Sequence, residues 1–312
     1  MAARFTSVVV VGAGAVGSYF GAMLARAGHR VTLIGRPAHV QAIERNGLRL
    51  EMGGRDEVIR LDASTDMAAV KDADLVLFCV KSTDTDAVAR QMAPHLNPGA
   101  VVMSLQNGVE NAPTLASHLR QVVVPASVYV ATAIPEAGAV KHLGRGDLVI
   151  GALRDSAGIA SILEDLRDFF ATADVPVTLS NDVLAELWSK LMVNCAYNAI
   201  SALAQASYGK LAALPQIRAI QRAVVEEVVA LAAAAGVAMQ LEPALRAMER
   251  IAQAMPGQLS STAQDVARRK PSEIDHLNGF VVRRGRELGV ATPVNETLHA
   301  LVKLVESGHG GG

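Results

Sequence analysis

An α/β fold is what this sequence predicts, with a doubly wound parallel sheet in the N-terminal part and an all-helical C-terminal domain. Three observations predict it. Short β-branched runs alternate with helical stretches from Val8 to Pro125, the pattern of a parallel sheet crossed by helices. From Val183 onward β signals nearly vanish and long helical patterns replace them. The 312 residues exceed one comfortable core and suit two domains of ordinary size. The expected division is residues 1–180 and 181–308, with His309-Gly310-Gly311-Gly312 as a disordered tail that has nothing to bury.

The elements follow in chain order. Val8 to Val11 is a β-branched run ending in glycine, Ala15 to Ala27 reads as a helix stopped by Gly28, and Val31 to Ile34 resumes β character. Around Leu48 to Leu61, two polar-apolar strands flank Gly53-Gly54 and read as an antiparallel addition. Leu75 to Val80, Val101 to Leu105 and Val122 to Pro125 are strand-like and alternate with helical stretches over Asp84 to Ala93 and Asn111 to Leu119. A second glycine-bounded strand pair is expected at Ala139 to His142 and Asp147 to Gly151. Beyond it, helices are expected over Asp182 to Gln205, Gln216 to Ala235 and Glu242 to Ala254, with Gly236 and Pro256 as stops. In Lys270 to Phe280, Pro271 stands at a plausible first helical position and puts Glu273 in the first turn.

Composition excludes several classes. With 51% hydrophobic and 19% charged residues the chain can bury a substantial core. Its 29 basic and 30 acidic side chains leave a net charge of −1, so no global positive field collects a nucleic acid. Two cysteines, Cys79 and Cys195, stand far apart without CxxC spacing, which suits a reducing cytoplasm and suggests neither disulfide nor zinc. Glu273, Asp275 and His276 form a superficially metal-like trio, but no ligand motif supports it, and a metal-free site is expected. Ser7 to Ala25 carries no charge and follows Arg4, as a signal peptide or membrane span would. Gly12, Gly14, Gly17 and Gly21 weaken that reading, because their spacing suits a strand, a tight turn and a helix.

Those glycines carry the first functional signal. Gly12-Ala13-Gly14-Ala15-Val16-Gly17 is a GxGxxG that follows an apolar strand and opens a helix. In that context the first glycine makes the turn and the second lets backbone approach a pyrophosphate at the positive helix end, as in a Rossmann-type dinucleotide-binding domain. An NAD site would place Asp or Glu about 20 residues on. Here Gly35-Arg36 follows the second strand, and a guanidinium pairs with a 2′-phosphate, so Arg36 argues for NADPH. Lys81 and Gln106-Asn107-Gly108 stand at the ends of two further strands, where open sheets bind ligands. Asn107 is suited to orienting nicotinamide or substrate and Lys81 to supplying positive charge near anionic ligands, though Asn-Gly is also an ordinary turn.

The first C-terminal helix carries the second signal. Val183, Leu184, Leu187, Trp188 and Leu191 give it an apolar face, while Lys190, Asn194 and Asn198 recur at i, i+4 and i+8. One amine and two amides therefore share a stripe, which either is hydrated or lines a ligand site.

Together these segments resemble the ketopantoate reductases (2-dehydropantoate 2-reductases), two-domain enzymes of the 6-phosphogluconate-dehydrogenase-like set. The resemblance spans nearly the whole chain. It rests on Gly12 to Gly17, Gln106-Asn107-Gly108, Glu186-Leu187-Trp188-Ser189-Lys190-Leu191-Met192-Val193-Asn194-Cys195, Ser260-Ser261 and Glu273-Ile274-Asp275-His276-Leu277-Asn278-Gly279. It implies that Lys190 is the general acid in reduction of a 2-oxo acid by NADPH. It further implies that Glu273 engages Lys190, the substrate hydroxyl and the cofactor, that Asn194 and Asn198 orient substrate, and that Ser261 holds its carboxylate. Asn107 and Lys81 would complete the cleft.

The implied reaction is reduction of 2-dehydropantoate to pantoate, toward pantothenate and coenzyme A. The basic run Arg268-Arg269-Lys270 beside Glu273 departs from the family pattern and leaves room for a different 2-oxo acid, since one or two apolar contacts shift substrate choice by only about 1–3 kcal/mol each. A non-catalytic NADPH-sensing regulator is the reading from another class, and Lys190 and Glu273 argue against it. The C-terminal helices are long enough to support a homodimer, although no heptad seam marks one.

Overall fold

The computed structural model describes residues 4–154 and 156–308, so the glycine-rich tail expected at 309–312 lies outside the described residues. The chain divides into two compact units, Met1–Val183 and Leu184–Gly312.

In the first unit the chain runs β1 (Ser7–Val11), α1 (Ala15–Arg26), β2 (Arg30–Ile34), α2 (Pro37–Asn46), β3 (Leu48–Met52), β4 (Arg55–Ile59) and β5 (Asp62–Ser64). It continues through β6 (Leu75–Phe78), α3 (Thr85–Met92), β7 (Val101–Ser104), α4 (Asn111–His118), β8 (Val122–Ala133), β9 (Ala139–Ile150), α5 (Ile159–Ala171) and β10 (Val177–Leu179). One sheet holds all ten strands in the order β4-β3-β9-β8-β7-β6-β1-β2-β5, with β10 beside β9. The segment from β5 to β7 is wholly parallel.

Both faces of that segment are covered, which explains its unbroken apolar strands. Along β1, Val8 and Val10 point into one core with Phe20 and Leu24 of α1, while Val9 and Val11 join Met92 of α3 and Leu115 of α4 in the other. The chain leaves β1 toward β2 on one side and later returns on the other through β6. That reversal creates a crevice at the carboxyl end of β1, the usual ligand position in open α/β sheets.

Two strand expectations are corrected. Ala139–Ile150 is one continuous strand rather than a hairpin, and its antiparallel partner is the extended β8. Gly144 and Gly146 lie inside β9 with φ of +156° and +141°, next to irregularities in its antiparallel register with β8, so they mark bulges and not a turn. β8 runs on to Ala133 because it changes partner: it pairs with β7 as far as Pro125, and from Ala126 with β9. Pro125, which has no N–H to give, sits at that exchange.

The second unit is helical: α6 (Val183–Ala204), α7 (Tyr208–Ala213), α8 (Pro215–Ala234), α9 (Leu241–Ala254), α10 (Ser261–Ala267), α11 (Asn278–Leu288) and α12 (Pro293–Ser307). Trp188 of α6 meets Phe280 of α11 edge to face at 5.6 Å, and the Tyr197 hydroxyl of α6 donates to the Met248 carbonyl of α9 at 3.0 Å. From Leu191 to Ile200 this first helix is mostly buried, as its apolar composition requires. The helix expected from Pro271 is corrected. Pro271 and Ser272 are irregular, Glu273 precedes a single 3-10 turn over Ile274–His276, and the α-helix starts at Asn278.

Candidate active site

Four loops at the carboxyl edge of the sheet are gathered by backbone contacts. Gly12 and Ala13 both donate their N–H to the Ile34 carbonyl, at 3.0 and 2.9 Å, which ties the glycine turn to the end of β2. Gly35 makes that approach possible, since a Cβ there would sit 2.7 Å from the Ala13 methyl. The next residue, Arg36, is exposed and opens α2 with extended backbone. Arg36 thus follows directly on the residue that meets the glycine turn.

The three motif glycines divide their work. Gly12, at φ +104°, lies against the backbone after β6: a Cβ would come within 2.6 Å of the Val80 nitrogen. At Gly17 a Cβ would collide with the Gly12 carbonyl and stand 2.8 Å from the Val10 side chain, so this glycine packs α1 onto β1. Gly14 differs, because nothing lies within 4 Å of where its Cβ would be. It caps α1 without a side-chain bond, and the first turn holds no acidic residue. An exposed helix N-terminus whose own first turn carries no carboxylate fits an anionic pyrophosphate.

Lys81 and Asn107 stand on adjacent loops after β6 and β7, both half-buried. A buried polar cluster braces them. The Gln106 amide donates to the Val80 carbonyl at 3.0 Å and to Thr85 Oγ1 at 2.7 Å, while Ser104 Oγ donates to its oxygen at 3.1 Å. Asn111 donates to the Asn107 carbonyl at 2.6 Å and to Ser82 Oγ at 3.0 Å, and accepts from Thr85 at 2.8 Å. Sequence reasoning noticed Gln106 only as part of a tripeptide and missed Thr85 and Asn111. Their signal is polar side chains at helix starts just beyond apolar strands.

In the second unit, Lys190 and Asn194 lie half-buried on α6, and Asn198 is buried at 2% exposure. Asn198 therefore differs from a simple open stripe: its carboxamide oxygen faces the Tyr208 hydroxyl at 3.5 Å. Burial pushes the Tyr208 phenol up to about 12, so it stays a protonated donor. Ser260 Oγ donates to the Asn198 carbonyl at 3.2 Å and accepts from the Ala263 N–H at 3.0 Å, capping α10 and fixing it against α6. Ser261, beside that cap, is exposed. The capping role of Ser260 was missed, although a serine opening a helix is its usual signal.

Asn278, fully buried, donates from its amide to the Cys195 carbonyl of α6 at 3.2 Å and to Asn295 Oδ1 at 2.9 Å. Asn295 in turn donates to Glu227, which also accepts the Val294 and Asn295 N–H groups at the start of α12. This chain binds the segment after Glu273 to the helix that carries Lys190. Asp275 of the metal-like trio is engaged by His299 Nε2 at 2.6 Å and Lys303 Nζ at 2.9 Å. Among the described residues no group of His, Cys, Asp and Glu is arranged to hold a metal ion, and no helix is long and apolar enough to cross a membrane.

Comparison with known proteins assigns the family. The family model for ketopantoate reductase PanE/ApbA matches residues 8–155, and the model for its C-terminal part matches residues 182–306. The chain belongs to the ketopantoate reductase family. A 2-dehydropantoate 2-reductase of Halobacterium salinarum is 35% identical over 304 residues, covering 96% of this chain and 98% of the relative. Its counterpart in Vibrio cholerae is 32% identical over 305 residues, with the same coverage of 96% and 98%. A PanE/ApbA family ketopantoate reductase from Ralstonia eutropha superposes with a TM-score of 0.90 at 54% identity, covering 97% of this chain and 99% of that one. D-mandelate dehydrogenase superposes at a TM-score of 0.91 with 23% identity, a likeness of fold.

Proposed function

We propose that this family member reduces 2-dehydropantoate to pantoate with NADPH, a step toward pantothenate and coenzyme A. The observation that carries the reading is Lys190 on the half-buried stripe of α6, one turn before Asn194, in a chain of this family. The turn from Gly12 through Ala13, Gly14, Ala15 and Val16 to Gly17 would hold the pyrophosphate, and Arg36 the 2′-phosphate. Bound NADPH supplies a hydride to the 2-oxo carbon.

Charge then develops on the substrate oxygen, and the Lys190 ammonium stabilises it and gives up the proton that completes the alcohol. Glu273, in this reading, accepts from the Lys190 ammonium and from the substrate hydroxyl and borders the cofactor. Asn194 and Asn198 orient the substrate, Asn198 from its buried position beside the Tyr208 hydroxyl. Ser261 is assigned to the carboxylate, and Asn107 and Lys81 to the nicotinamide side of the cleft. The two unpaired cysteines support a reducing cytoplasmic setting. Assembly as a homodimer belongs to the same reading, and sedimentation analysis tests it.

Lys190→Ala tests the chemistry. It should lower kcat by about 10²–10⁴-fold while NADPH affinity stays near that of the parent. Undiminished turnover would remove Lys190 as the acid.

A further inference from the structure

Glu273 lies outside regular helix, so its carboxylate is aimed by whatever fixes the irregular backbone around it. Both flanks are fastened to one face of α12. On the N-terminal side, the Ser272 N–H and hydroxyl both donate to Glu306 Oε1, at 2.8 and 2.6 Å, and Ser272 Oγ accepts from the Ile274 N–H at 3.2 Å. On the C-terminal side, Asp275 meets His299 Nε2 at 2.6 Å and Lys303 Nζ at 2.9 Å. Lys303 links the two sides, reaching Glu306 Oε2 at 3.2 Å.

His299, Lys303 and Glu306 recur at spacings of four and three, so they form one stripe of α12 turned to this segment. Ser272 is 3% exposed and the Glu306 side chain 12%, which places that end of the network out of bulk water. The Asp275 carboxyl is held below its ordinary range: burial raises it, and the hydrogen bonds and charges of Lys303 and His299 more than offset that. Close packing completes the clamp, since a Cβ at Gly279 would come within 2.9 Å of His299 Nε2.

We propose that Glu306 and Ser272, with Asp275, His299 and Lys303, are positioning residues that aim Glu273. This rests on the role of Glu273 given above. Displacing a reacting group by about 1 Å costs on the order of 100-fold in rate, so a clamp of this kind acts mainly on kcat, with only a small effect on the cofactor that Glu273 borders.

The test measures kcat, KM and NADPH affinity for Glu306→Ala, Ser272→Ala, Glu306→Gln, Glu273→Gln and the Glu306→Ala/Glu273→Gln double variant, with thermal melts of each. Glu306→Ala should lower kcat about 10- to 100-fold with NADPH affinity within about twofold. Glu306→Gln keeps an acceptor for Ser272 and should restore most of that loss. Ser272→Ala, which retains the N–H bond to Glu306, gives the same sign of effect in a variant that perturbs folding less. In the Glu273→Gln background, Glu306→Ala should cost no more than about twofold further.

Equal losses from Glu306→Ala in both backgrounds, or wild-type kcat in Glu306→Ala and Ser272→Ala, would overturn the clamp while leaving the role of Glu273 standing. Full turnover by Glu273→Gln would overturn that role and the clamp with it.

Discussion

Replacing Gly12 and Gly14 separately by alanine should separate the folding work of the glycine turn from its binding work. At Gly12 the backbone is at φ +104°, which costs an L residue about 1–2 kcal/mol. The new methyl would also stand 2.6–2.9 Å from the Val80 nitrogen and the Cys79 carbonyl group, which are backbone atoms just past the end of β6 and yield little. Overpacking of this kind adds about 1–3 kcal/mol. The sum is about 2–5 kcal/mol, and at roughly 2–4 °C per kcal/mol for a unit of this size the melting temperature should fall by several degrees or more.

Gly14 has φ −78° and nothing within 4 Å of the added Cβ. The loss of a good cap residue and the gain from a less flexible unfolded chain are each below about 1 kcal/mol and of opposite sign. Gly14→Ala should therefore melt within a degree or two of the parent. If the cofactor's pyrophosphate lies against that backbone, the methyl costs one charge-assisted hydrogen bond, about 1.5–3 kcal/mol, or a 10- to 150-fold weaker Kd. Calorimetric melts and NADPH fluorescence titration read the two effects independently. A stability loss in Gly14→Ala as large as in Gly12→Ala, or unchanged NADPH affinity in Gly14→Ala, would refute the reasoning.

Three further outcomes are expected. Arg36→Ala should weaken NADPH about tenfold, the value of one exposed charge-assisted contact, and leave NADH nearly unchanged; equal effects in titrations of both would undo the 2′-phosphate assignment. Gln106→Leu should lower the melting temperature and raise KM for NADPH, because it strips the Val80 carbonyl, Thr85 and Ser104 of buried partners worth about 1–3 kcal/mol each; melts and kinetics at the parent level would show that the loops need no brace. His39 accepts the Gly138 N–H at Nδ1 and so must donate from Nε2 to Ser18, and burial lowers its pKa below the ordinary 6.5. The unfolded chain then takes up this proton first, so stability is full above about pH 6.5 and declines as pH falls toward the folded value; melting curves from pH 8 to 5 should show that decline, and show less of it in His39→Gln.

The parts of the fold legible in the sequence are those where local pattern and tertiary role coincide. In β1-α1-β2, the unbroken apolar strand, the glycine turn and the stop at Gly28 all reflect one crossover unit, so composition and punctuation suffice. α6 was equally readable, since its apolar residues far outnumber the Lys190, Asn194 and Asn198 stripe. β9 misled because glycine in a strand reads locally as a turn, whereas here Gly144 and Gly146 accommodate bulges against a partner distant in sequence. Pro271 misled for a related reason: proline suits a first helical position, but the helix begins only at Asn278, whose amide is committed to the Cys195 carbonyl.

The motif residues assigned to the site stand out in the sequence, but their supports do not. Gln106, Asn111, Ser260 and Glu306 act through bonds to segments up to 62 residues away, such as that from Ser260 to Asn198, and no local pattern encodes such pairings. Asn198 shows the same limit from the other side. Helical spacing placed it on the stripe, and only packing reveals that it is buried against Tyr208.

The most direct test is steady-state oxidation of NADPH and NADH by the purified protein with 2-dehydropantoate, beside pyruvate and 2-oxoisovalerate. The account predicts that kcat/KM for 2-dehydropantoate with NADPH exceeds every other combination by at least about tenfold, the range that a few pocket contacts provide. Faster turnover of another 2-oxo acid would contradict the substrate, and no turnover of any of them alongside measurable NADPH binding would contradict the enzyme itself.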